Sequence, residues 1–64
     1  LKPGDRVRLT TANTMPGYGP GDEGTIKQGP HPAPAGGHYY VVQMDHDAGS
    51  GPVIFLSEEI EPAG

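Results

Sequence analysis

Apolar and charged positions alternate near the start of the chain. In Asp5-Arg6-Val7-Arg8-Leu9-Thr10, Val7 and Leu9 share one parity and the two arginines share the other. A period of two belongs to a half-buried strand, so Val7 and Leu9 are expected to point inward and Arg6 and Arg8 toward water. A second strand is predicted from about Glu23 to Gln28, with Ile26 inward and Thr25 and Lys27 outward, stopping at Gly29-Pro30. It is entered through Gly21-Asp22-Glu23-Gly24, whose glycines accept backbone angles that a Cβ resists. The densest strand signal is His38-Tyr39-Tyr40-Val41-Val42-Gln43-Met44, for which Tyr40, Val42 and Met44 form the expected core face. Pro52-Val53-Ile54-Phe55-Leu56 reads as a fourth strand that is apolar on both faces, Ser57-Glu58-Glu59 as one 3₁₀ turn, and Ile60-Glu61-Pro62 as a short last strand.

The connections carry the breakers. Thr11 to Pro20 contains Asn13, Pro16, Gly17, Gly19 and Pro20, which favours a long loop anchored only by Met15 and Tyr18. Gly29 to Gly37 holds three prolines, which lack amide donors, and is expected to be a mobile or polyproline-like tip. Asp45 to Gly51 is expected to form a polar hairpin turn.

Composition narrows the possibilities. Sixty-four residues make one domain, residues 1–64, with one small core and little room for a buried catalytic cleft. The absence of cysteine removes disulfides and thiolate metal sites as sources of stability. Eleven glycines and eight prolines oppose long helices. A net charge of −4 opposes sequence-independent binding to nucleic acid. No run approaches bilayer-spanning length and no secretion-signal layout opens the chain, so a soluble, cytoplasmic protein without membrane partners is the expectation. Leu1 in place of Met is compatible with processing or excision from a longer chain, which leaves the biological context open.

This order of strands, with a long first loop and one tight turn before the last strand, resembles the SH3-like barrels over nearly the whole chain. The resemblance implies an all-β fold, a small five-stranded SH3-like barrel with one 3₁₀ turn before the final strand. Gly4-Asp5-Arg6-Val7 followed by Gly21-Asp22-Glu23-Gly24-Thr25-Ile26 resembles the opening of KOW-type domains, which implies RNA or transcription-complex binding through the first loop. That loop, Thr11 to Pro20, contains no Lys or Arg. Phe55-Leu56-Ser57-Glu58-Glu59-Ile60-Glu61-Pro62 resembles the ending of small photosynthetic electron-transport accessory barrels, which implies docking onto a larger complex. Gly4-Asp5-Arg6-Val7-Arg8 also resembles the plasmid-borne type II dihydrofolate reductases, whose active site lies at the centre of a tetramer. The aligned Pro52-Val53-Ile54-Phe55 lacks the family's glutamine amide and tyrosine hydroxyl, leaving pterin and nicotinamide recognition without a basis.

Candidate chemistry is sparse. His31, His38 and His46 with Asp45 and Asp47 are ligand types for zinc or copper, but Asp45-His46-Asp47 sits where Asp commonly bonds its own turn. Read as a calcium loop from Asp45, the segment puts Ser50 where glycine is required and Leu56 at the bidentate position. Glu58, Glu59 and Glu61 read as an exposed acidic turn, and Ser57 lacks a histidine neighbour in sequence and a nucleophile elbow. Neither a catalytic residue, a metal nor a cofactor is assigned.

Two binding surfaces remain. Arg6 and Arg8, with Lys27, could gather into a positive patch or pair with acidic neighbours. Tyr39 and Val41, with either Val53 and Phe55 or Ile54 and Leu56, could make an outward apolar strip, because so small a barrel cannot bury both faces of both strands. Val53 and Phe55 are the pair we assign to it. The function expected is a non-catalytic interaction module docking on a protein partner or on itself. The alternative is a KOW-like nucleic-acid binder using Arg6, Arg8, Lys27 and Tyr18 or Tyr39, followed by a type II dihydrofolate reductase-like oligomer.

Overall fold

The computed structural model describes residues 1–10, 17–47, 49 and 51–63. Asn13 and Met15 of the first loop lie outside them. The described residues form five strands, β1 (Arg6–Leu9), β2 (Glu23–Pro32), β3 (His38–Met44), β4 (Val53–Leu56) and β5 (Ile60–Pro62), with 3₁₀ turns at Asp45–Asp47 and Ser57–Glu59. All pairings are antiparallel, and the sheet order is β4-β3-β2-β1-β5. β4 and β5 are the two edges and do not pair with each other, so the sheet is not closed. Among the described residues no helix is long and apolar enough to cross a membrane.

The period-two reading holds for β1, for β3 and for β2 as far as Ile26. Val7 and Leu9 of β1, Ile26 of β2, Tyr40, Val42 and Met44 of β3, Phe55 of β4 and Ile60 of β5 are buried in one cluster. β1 and β3 contribute alternate residues to that cluster and β2, β4 and β5 one residue each, while the opposite parity forms the outer face.

Two glycines of the entry to β2 serve different ends. Gly21 has φ +95 with open space around it, so its backbone angle is what excludes a side chain. At Gly24 the obstacle is room. A Cβ there would lie 2.6 Å from the Gln43 carbonyl oxygen and 2.9 Å from the Met44 sulfur.

The expected stop at Gly29-Pro30 is corrected by the structure. β2 continues to Pro32, pairing His31 with Tyr39 and Pro32 with His38. Register shifts between Ile26 and Gln28 and between Gln28 and His31 absorb the extra residues as bulges. Gly29, at φ +122, passes so close to the Tyr40 ring that a Cβ would meet its Cδ2 at 2.7 Å. The glycine therefore lets the strand bend past an aromatic ring, where the sequence suggested a break. The Gly29-Pro30 peptide is cis. The expected long tip shrinks to a turn in which Ala33 N–H donates to Gly37 C=O and Gly36 N–H donates to Ala33 C=O, each at 3.0 Å.

Candidate functional site

Cross-strand register lays out the outer face as rows. Leu56, Tyr39 and His31 form one, and Ile54, Val41 and Gln28 the next. Gln43, Thr25 and Arg6 follow, then Glu23, Arg8 and Glu61. One end of this face is thus apolar and aromatic, and the other is ionic.

At the ionic end the arginines meet carboxylates. The two terminal nitrogens of Arg6 donate to both oxygens of Asp45 at 2.8 and 2.7 Å, a bidentate fork, while also reaching Thr25 Oγ1 at 2.9 Å and Glu23 Oε1 at 3.4 Å. The Arg6 hydrogen bond holds the Asp45 carboxyl below its ordinary value, and Asp45 raises Arg6 in turn. Arg8 pairs with Glu61 at 3.0 Å and Lys2 with Asp5 at 3.0 Å. The positive patch considered from sequence resolves into internal pairs, with Lys27 exposed beside them.

At the apolar end the assignment of β4 faces is corrected. Phe55 is buried in the core, 1% exposed, because its Cα partner is the core residue Tyr40, and Val53 packs partly against the same cluster. The strip is formed instead by Ile54 and Leu56, 54% and 39% exposed, beside half-buried Tyr39 and Val41. His31 extends the strip, its ring 5.2 Å from that of Tyr39. Tyr18, a candidate stacking residue, instead meets Phe55 edge-on at 5.7 Å and His46 at 5.4 Å, covering one end of the core.

The main chain at the β4 edge follows from alternation. Ile26 N–H donates to Asp5 C=O, so Ile26 is directed at β1 and Thr25 at β3. Thr25 pairs with Gln43, which directs Gln43, Val41 and Tyr39 at β2 and leaves Val42 and Tyr40 to bond Val53 and Phe55. The N–H and C=O of Ile54 and Leu56 therefore point to the open side. The Leu56 N–H is already bound there by Glu59 Oε1 at 2.9 Å. Pro52 has no N–H to offer. Among the described residues, Ile54 is left as the one β4 position whose donor and acceptor both face outward unmet.

The opposite edge is blunter. Ala63 N–H donates to Arg6 C=O, so Glu61 is directed at β1 and Pro62 presents its missing donor to the open side of a three-residue strand.

Beyond Leu56 lies a groove of about 400 Å³, with Leu56, Ser57 and Glu58 on one wall and Gly36, Gly37 and His38 on the other. Sequence reasoning missed it, since it joins the β2–β3 turn to a segment about twenty residues away. Neither of its ionisable groups is engaged in an ion pair among the described residues. The acidic turn itself is structural, Glu59 capping Leu56 and the Glu58 carbonyl accepting from Thr10 Oγ1 at 3.2 Å. Among the described residues, no three His, Asp or Glu side chains gather as a metal-binding group. Comparison with protein-family models, with curated proteins and with solved structures gives no match.

Proposed function

We propose that the chain is a non-catalytic, SH3-like interaction module that docks on a protein partner through the outer strip Tyr39, Val41, Ile54 and Leu56. The observation that carries this reading is the exposure of Ile54 and Leu56 side by side with two half-buried neighbours on one face of the sheet. The largest contiguous exposed apolar patch on a small domain is often its binding surface. The SH3-like reading is supported by a strand order with β1 between β2 and β5, and by the 3₁₀ turn that carries the chain from β4 into β5.

The experiment is capture by the immobilised domain, followed by reconstitution with the purified captured protein and light scattering of the domain alone. Tyr39→Ser/Val41→Ser and Ile54→Ser/Leu56→Ser should each remove the reconstituted complex while circular dichroism stays that of the wild type. Folded variants that bind as well as the wild type would overturn the reading. So would a wild-type domain that stays monomeric and retains nothing.

A further inference from the structure

We propose that the occupant of this surface is an extended peptide segment carrying an apolar residue and, beside it, a Lys or Arg. Its main chain would exchange hydrogen bonds with Ile54, its apolar side chain would lie along Ile54, and its cation would reach Glu58 in the groove. The inference rests on the docking reading and adds the chemistry of the partner.

Three observations define such a ligand. First, the β4 edge is open over a single residue, because Pro52 lacks a donor on one side and Glu59 occupies the Leu56 N–H on the other. One short segment can add here; a long strand pairing cannot propagate. Second, the apolar strip is small. Four side chains, two of them half-buried, offer on the order of 300 Å², whereas a stable interface between globular partners takes about 800 Å² per partner.

A second copy of the chain fits poorly for both reasons. Two-fold pairing of β4 with itself about Ile54 would set Pro52 opposite Leu56 at both ends, where neither supplies an amide donor. It would also bring together two molecules of charge −4.

Third, the charges are uneven. Lys2, Arg6 and Arg8 are matched by Asp5, Asp45, Glu23 and Glu61, all away from the strip. Glu58, at the end of the strip, has no cation among the described residues. A cation two residues along an added strand lies about 6.6 Å from the residue over Ile54, level with Leu56, and its flexible stem covers the remaining distance to Glu58.

The test uses the blocked heptapeptide acetyl-Thr-Lys-Thr-Val-Thr-Lys-Thr-amide, its Lys-to-Glu counterpart, and a version with N-methylvaline at the centre, titrated into ¹⁵N-labelled protein. The lysine peptide should shift the amide resonances of Ile54 and Leu56, and the N-methyl and glutamate peptides should not. Glu58→Gln should weaken the lysine peptide about two- to fivefold, the worth of one exposed ion pair, while Glu61→Gln, with the same change in net charge, should leave it unchanged. Equal binding of the lysine and glutamate peptides, or no response at Ile54, overturns the inference. Self-association lost in Ile54→Ser does so as well, since the occupant is then a second copy. These outcomes leave the capture experiment above untouched, so the docking reading can survive the loss of this one.

Discussion

The two ends of the outer face are built from the same strands and meet the same solvent, yet one has satisfied itself and the other has not. At the ionic end, Arg6 finds Asp45, Glu23 and Thr25, and Arg8 finds Glu61, because β1 has a neighbour on each side to supply partners. At the apolar end, Ile54 and Leu56 sit on an edge strand that pairs with β3 alone among the described residues, so no strand lies on their other side. A long charged side chain can reach across two strands for its partner, while a short branched one depends on what lies directly beside it. In a sheet of five strands, unmet apolar surface therefore collects at the edge with the larger side chains.

The largest expected effect tests which β4 residues belong to which face. Phe55→Ala removes a fully buried ring, at a cost of about 3–5 kcal/mol. That is as much as a single core of this size ordinarily supplies. The variant should be unfolded at room temperature by circular dichroism, whereas Ile54→Ser, one residue away and more than half exposed, should stay within about 0.5 kcal/mol of the wild type in urea titration. Comparable losses at the two positions would mean that the two faces of β4 are not distinct.

A smaller effect tests how the ionic end is seated on the core. Gly24 lies between Glu23 and Thr25, both contacts of Arg6, and a Cβ there would meet the Gln43 carbonyl and Met44. Gly24→Ala forces β2 and β3 apart and should cost up to about 3 kcal/mol. Gly21→Ala meets no atom and strains only its own φ, at about 1–2 kcal/mol. Thermal unfolding of the pair should therefore rank Gly24→Ala as the less stable. The reverse order would mean that Gln43 and Met44 yield to a Cβ at Gly24 at less cost than the strained φ at Gly21.

Much of this was legible in the residues. Clean alternation identified the inward residues of β1 and β3, and Ser57-Glu58-Glu59 announced the turn into β5. β4 resisted because Val53, Ile54, Phe55 and Leu56 are all apolar, so parity carries no information. Only the pairing of Tyr40 with Phe55 decides the face. Gly29-Pro30 read as a break because the Tyr40 ring that requires a glycine there lies in the next strand. The Arg6–Asp45 fork joins residues 39 apart, and a local reading has no access to such a pair. Ile54's open main chain is likewise a product of register, found only by following hydrogen bonds across four strands.

The smallest expected effect concerns acid. Asp45 and Asp5 both titrate below their ordinary value of 3.8, held down by hydrogen bonds from Arg6 and Lys2 respectively. A carboxyl whose folded value is depressed binds fewer protons in the folded state than in the unfolded one, so stability rises with pH across the interval between them. The contribution is complete above about pH 5 and is lost as pH falls below about 4 through the folded values. Raised Arg6 adds nothing to this slope, since the guanidinium stays protonated throughout. Asp45→Asn should flatten the acid limb of the melting temperature below about pH 4 and leave the Asp5 share. Because both partners are exposed, the loss at pH 7 should be small, and peptide binding at Ile54 should be unaffected. If the acid limb is unchanged in Asp45→Asn, the fork does not persist in solution and Arg6 is free to serve as a cationic contact. If binding at Ile54 falls together with the limb, the two ends of the face are coupled through β2 and β3 and can no longer be treated as separate regions.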